Sequence, residues 1–292
     1  MPRITHPAEI RALLEIDRPW AVYALGDLAP GFFERSEWFR APNAPALILL
    51  YRAFATPVLF ALGKPESVRG LLDEIGGERE MYLSIRPEIL PLVKARYEVR
   101  HEAAMWRMIL ADLTAPSQDA ARLGPADLAA LQQLYADGQS TGEVPDFFFP
   151  SMIEQGVFFG IWEDKALVAA AGTHLVAPLE SVGAIGNVYT RRDRRGRGLA
   201  LRVTSAVAAE LLRLGLQTVA LNVNQRNAAA IRVYERLGFA RYCAFSAGVA
   251  ARSGRPRGSP VLAPPGRPYR GAGWNSSIIQ KPSCFTSVVS TM

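Results

Sequence analysis

The sequence predicts an α/β (α+β) fold, a mixed central sheet flanked by helices, and three observations carry that expectation. Stretches alternating with a period of two change places with stretches of near-helical period along most of the chain. The order of these stretches in the second half is echoed in the first. At 292 residues, 49% of them apolar, the chain is long enough for two ordinary domains.

In the first half, "APALILLYRA" and "TPVLFALG" read as strands, "KPESVRGLLDEI" as a helix and "EMYLSI" as a strand. "RPEILPLVKARY" reads as a second helix and "AAMWRMIL" as a closing strand. The small, polar, breaker-rich segment 114–125 is the expected joint. "GPADLAALQQLYADG" then opens the second half as a helix, and "GVFFGIW", "ALVAAAGTHLVAP" and "SVGAIGNVYT" follow as strands. "GLALRVTSAVAAELLRLG" is a helix with an apolar stripe through Leu199, Val203, Val207, Leu211 and Leu214. "TVALNV" is a strand with Val219, Leu221 and Val223 on one face. "NQRNAAAIRVYERLGF" is a helix capped by Asn227 and stopped by Gly238, and "FARYCAFSAG" is the last strand. These readings divide the chain into a degenerate domain over 1–112, a chemistry-bearing domain over 113–249, and a basic tail over 250–292 whose Pro, Gly, Arg and Ser content predicts disorder.

The formal charge of +6 sits in that tail: six basic and no acidic residues after Val249 leave 27 basic against 27 acidic before it. Overall basicity is therefore a weak argument for nucleic acid, and none is expected as a partner. Two cysteines, Cys243 and Cys284, make neither a disulfide framework nor a metal set. The charged N-terminus and the lack of a long apolar run lead to the expectation of a cytoplasmic protein with no membrane association.

The stretch "TRRDRRGRGLALRV" carries the chemistry. Arg195, Gly196, Arg197, Gly198, Leu199 and Ala200 lie between a strand and an amphipathic helix, so their backbone N–H groups fall on the unpaired first turn of that helix, an anion site. Leu201 occupies the third glycine of a dinucleotide fingerprint, and no Gly-Lys-Ser/Thr follows as in a nucleotide P-loop.

"GNVYTRRDRRGRGLA", followed some twenty residues later by "VALNVNQRNAAAIRVYERLGF", resembles the GCN5-related N-acetyltransferase (GNAT) superfamily, in particular tandem members with a degenerate first half of the glycine N-acyltransferase-like or FR47-like kind. The resemblance implies the acyl-CoA N-acyltransferase fold and acetyl-CoA, or another short acyl-coenzyme A, as co-substrate, without a metal. It places the diphosphate on the Arg195–Ala200 loop, and the pantetheine arm and thioester carbonyl on the main chain of Val188, Tyr189 and Thr190. It sets Asn227 beside the cofactor and makes Tyr234 the acid that protonates the departing thiolate. Arg192 stands where the family commonly has a proline, and no further strand follows "FARYCAFSAG" to close the second sheet. Met105–Leu110 is expected to take that place or bridge the halves.

The implied function is direct acyl transfer to a small-molecule or peptide amine. The alternative is a coenzyme A-binding regulatory or scaffold module without turnover. His174, Glu143, Asp146 and Glu180 are candidate bases by position, and Trp162, Phe147, Phe148 and Phe149 candidate walls of an acceptor pocket.

Overall fold

The computed structural model describes residues 3–75, 77–114, 119–143, 145 and 147–252. Its first half runs β1 (Arg3–Ile4), α1 (Pro7–Leu14), α2 (Arg18–Gly26), β2 (Ser36–Arg40), β3 (Leu47–Tyr51), β4 (Val58–Leu62), α3 (Pro65–Glu74), β5 (Glu80–Ile85), α4 (Leu90–Lys94) and β6 (Glu98–Leu110). The second half runs β7 (Ala121–Arg122), α5 (Leu128–Ala136), α6 (Ser151–Gln155), β8 (Phe159–Glu163), β9 (Ala166–Ala177), β10 (Val182–Thr190), α7 (Leu199–Arg213), β11 (Thr218–Asn224), α8 (Ala228–Arg236) and β12 (Phe239–Ala251).

All twelve strands join one sheet in the order β1-β2-β3-β4-β5-β12-β6-β11-β10-β9-β8-β7. The two halves meet by exchanging strands. Ser246–Ala251 of β12 pairs with β5, while Met105–Ile109 of β6 pairs with β11, and β6 and β12 pair with each other along their length. Met105–Leu110 thus supplies a strand to the second half, as expected, and the end of β12 returns one to the first. β12 reaches Ala251, two residues into the stretch expected to begin the tail; residues 253–292 lie outside the described part.

Alternation along the strands decides which helices cover which face. On β11, Val219, Leu221 and Val223 join the cluster under α7 and α8, whereas Ala220 joins the cluster under α1 and α2. On β3, Leu47 and Leu49 face α2 while Ile48 and Leu50 face α3 and α4. The sequence pattern predicts neither α1 nor α2, yet Trp20, Val22 and Leu25 of α2 are fully buried against strands of both halves. In α7 the stripe Leu199, Val203, Val207 and Leu211 is buried as expected; Leu214 falls beyond the helix end and is exposed, because the turn there carries it off the face.

Arg107 of β6 marks the junction. It is 1% exposed, donates to the Trp20 carbonyl at 3.2 Å, and its guanidinium lies over the rings of Trp20, Tyr23 and Phe245. Burial lowers its pKa, and the aromatic faces offset part of the desolvation cost.

Because β6 lies between β11 and β12, a fragment spanning 113–252 has a gap at the centre of its sheet. We expect it to fail to fold alone and to gain a cooperative transition when a peptide of residues 98–112 is added. A cooperative thermal transition of the fragment by itself would refute this.

Candidate active site

β10 and β11 run parallel only from Val182–Ile185 against Thr218–Leu221. Beyond Ile185 they are no longer paired, and the sheet opens into a cleft between 186–190 and 222–224. On its other edge β10 leaves its partner as well: pairing with β9 jumps from Gly186–Gly172 to Tyr189–Ala170, with Asn187 at φ +53. This bulge releases the backbone of Asn187 and Val188 from the ladder. The Tyr135 hydroxyl holds the freed Asn187 carbonyl at 2.8 Å. The cost of a left-handed asparagine is tolerated where surrounding structure over-determines it, which is characteristic of functional sites.

Four buried polar atoms around this opening have no hydrogen-bond partner among the described residues: Oδ1 and Nδ2 of Asn187, Oγ1 of Thr190 and Oδ1 of Asn222. Such atoms are costly unless a ligand or water meets them.

At the open end of β10 the chain turns through Arg192–Arg194 into α7. Gly196 and Gly198 have φ +77 and +75, conformations that L side chains rarely adopt, and nothing stands within 4 Å of a Cβ at either. The first helical bond of the turn is from Arg202 N to the Gly198 carbonyl, so the N–H groups of Leu199, Ala200 and Leu201 precede the ladder and are free for an anion. The loop is braced from outside. Asp137 accepts from the Tyr189 hydroxyl at 2.9 Å and from Arg192 N at 3.0 Å, Glu143 holds Arg195 at 3.0 Å, and Glu163 holds both Arg194 and Arg197 at 3.0 Å.

Across the cleft, Asn227 caps α8, its Oδ1 accepting from Ala230 N at 3.0 Å, which leaves its amide nitrogen available. Tyr234, two turns on, is 8% exposed and packs edge-on against Phe239. Burial raises its hydroxyl to about 12, so it keeps its proton at neutral pH. The hydroxyl has no hydrogen-bond partner among the described residues.

A single cavity of about 2180 Å³ connects these parts: Val188, Tyr189, Thr190, Arg195, Gly196, Gly198, Leu199, Ala200, Asn227 and Tyr234 all line it. Arg197 does not, its guanidinium being turned outward to Glu163.

The candidate bases separate sharply. Glu180 is buried under a bidentate ion pair with Arg11 beside the start of β10, at the opposite end of that strand from the cleft. Glu143 is held ionised below the usual carboxylate range by its hydrogen bond to Arg195, which makes it a brace rather than a proton acceptor. Asp146 lies outside the described residues. His174 lines the cavity. Its ring stands directly over Gly186, Nε2 being 2.1 Å from where a Cβ there would sit, and its Nδ1 is 3.3 Å from the Tyr23 hydroxyl. Of the aromatic candidates, Phe147 and Phe149 line the cavity. Phe148 packs in the core with Tyr135 and Phe158, and Trp162 faces solvent, since both point away from the opening. Sequence reading passed over Tyr23, Asp27, Asn187 and Asn222, which show no local motif.

Burial lowers the His174 imidazole to about 4, the neighbouring Asn187 side chain acting in the other sense. The unfolded chain takes up that proton near pH ~6.5, so the stability due to neutral His174 is complete above that value and is lost as pH falls towards 4. We expect His174→Gln to relieve about 2 kcal/mol of the stability lost between pH ~7 and ~4.5. Denaturant midpoints of both proteins at the two pH values test this, and equal losses would refute it.

Residues 159–246 match the family described as FR47-like protein. The chain is 38% identical over 89 residues to a mycothiol acetyltransferase of Geodermatophilus obscurus, covering 29% of each chain. Matched segments span about a fifth to a half of the length of such curated relatives. Among solved structures, a GNAT-family acetyltransferase from Novosphingobium aromaticivorans aligns with TM-score 0.52 and 25% identity over 71% of this chain and 89% of its own. A GCN5-related N-acetyltransferase from Kribbella flavida aligns with TM-score 0.56 over 82% of this chain and 96% of its own; at 18% identity the likeness is one of fold.

Proposed function

We propose that the chain is a GCN5-related N-acetyltransferase, as its fold and its FR47-like segment support, and that it transfers an acetyl or short acyl group from acyl-coenzyme A to an amine by direct attack. One observation carries this reading: the glycine cradle at the start of α7, the opening between β10 and β11 and the Tyr234 side chain line the same cavity. The orphaned polar atoms of Asn187, Thr190 and Asn222 and the open space over Gly196 and Gly198 fit a ligand with a diphosphate and an amide-bearing arm.

In this reading the N–H groups at the head of α7 hold the diphosphate, with Arg195 and the helix dipole adding to the field. The main chain released at Asn187 and Val188 polarises the thioester carbonyl. The amine lone pair attacks the carbonyl carbon and the C–S bond breaks. Tyr234 gives its proton to the departing thiolate, and the amine's proton leaves to water or a neighbouring group. His174, neutral at physiological pH, accepts a hydrogen bond from the incoming nitrogen and orients it.

The test is release of free thiol when the purified protein meets acetyl-coenzyme A with pools of amines, amino acids, peptides and compounds of the mycothiol kind. Amine-dependent release supports the reading. Tight coenzyme A binding without release from any pool favours the binding module.

A further inference from the structure

Resting on the acyl-transfer reading, we propose that Asp27 selects the acceptor by holding a second, cationic nitrogen that is not acylated, so that the preferred acceptor is a diamine or an amine with another cationic nitrogen.

Asp27 follows α2 directly and lines the cavity together with Tyr23, four residues earlier on the same helical face. Tyr23 reaches His174 at the opening, whereas Asp27 stands about 6 Å further along the helix axis. Its electrostatic neighbour is Tyr51, which is linked to His174 through the rings of Phe54 and Phe147. The carboxylate is therefore set apart from the reacting position.

No hydrogen bond or ion pair satisfies the Asp27 side chain among the described residues. Burial holds its carboxyl well above the usual range, with no cation offsetting it. Around it the wall is largely aromatic, with the Arg35 guanidinium acting on Tyr51 from the same cavity: Phe32 stacks on Tyr51, Tyr51 meets Phe54 edge-on, and Phe54 stacks on Phe149. An organic cation seated in this wall favours the ionised form of Asp27, the displaced proton passing to solvent, and so gains both a counter-charge and the ring faces. A neutral ligand would leave the acid protonated and gain no counter-charge. Space permits it, since a cavity of about 2180 Å³ is roughly twice the upper end of ordinary small-molecule clefts and leaves volume beside a pantetheine arm.

Calorimetric titration of the full chain with 1,5-diaminopentane, 1-aminopentane and 1,5-pentanediol tests the proposal. We expect the diamine to bind at least about tenfold more tightly than the monoamine, and Asp27→Asn to abolish that preference while changing monoamine affinity less than about twofold. Asparagine matches the neutral acid in shape and charge, so the variant should keep its melting temperature and coenzyme A affinity, and Asp27→Glu should recover part of the preference. Equal weakening of diamine and monoamine would overturn the proposal by placing Asp27 on the reacting nitrogen. Unchanged affinities in Asp27→Asn, or no diamine binding, would overturn it too. Asp27-dependent diamine binding in a protein that releases no thiol would refute acyl transfer and leave this inference standing. Thiol release that treats both amines alike in wild type and Asp27→Asn would do the reverse.

Discussion

Tyr234→Phe is expected to lower kcat for acyl transfer by about 10²-fold while leaving coenzyme A affinity nearly constant. The substitution removes one hydroxyl and keeps the ring, so the edge-on contact with Phe239 and the burial of the α8 face with Ile231 and Leu237 survive. The hydroxyl has no partner among the described residues to leave stranded, and folding should change by less than about 1 kcal/mol. A thiolate is a tolerable leaving group and water in so large a cavity can replace part of the donor, which holds the effect towards the lower end of the general-acid range. The pH profile separates an acid from a packing residue: wild type should lose activity as pH rises towards the Tyr234 pKa of about 12, and the phenylalanine variant should lack that limb. Unchanged turnover in an active enzyme would end the assignment.

Gly198→Asp should weaken coenzyme A binding by about 10²-fold or more, roughly 3 kcal/mol, with a much smaller loss of stability. Two facts decide the asymmetry. Gly198 has φ +75, which aspartate adopts at a cost of about 1 kcal/mol, and a Cβ there meets nothing within 4 Å, so the protein itself is little disturbed. The same open space is where backbone must approach an anion, and a carboxylate there repels the ligand's charge and, drawn to the positive N-terminal end of α7, takes up the field the ligand needs. Gly198→Ala shares the backbone cost without the charge and should fall between. Calorimetric titration together with a melting curve distinguishes these outcomes, and unchanged affinity in the folded aspartate variant would remove the loop from the mechanism.

Much of this molecule is local and hence readable. The period of β11 and α7, the breaker that becomes Gly238 at φ +95 and the Asn227 cap are properties of short windows, and each element stands where its pattern placed it. The phosphate-type loop is also local, since it needs only glycines at two positive φ angles and the first turn of a helix. The chain alone thus determined an α/β fold of paired halves with a glycine loop at the head of a helix, the local geometry that our reading assigns to an anion.

What only the tertiary structure decided depends on contacts between residues far apart in sequence. The exchange of β6 and β12 joins strands more than a hundred residues apart, and no window of either states its partner. The bulge at Asn187 comes from a mismatch in register between β9 and β10, and its unpaired amide looks like any other polar strand residue until both neighbours are in place. The fates of Glu180 and Glu143 were set by distant arginines, Arg11 and Arg195. Asp27 acquires its character from the aromatic wall folded over it from both halves, because burial without a partner is a property of surroundings and not of the residue.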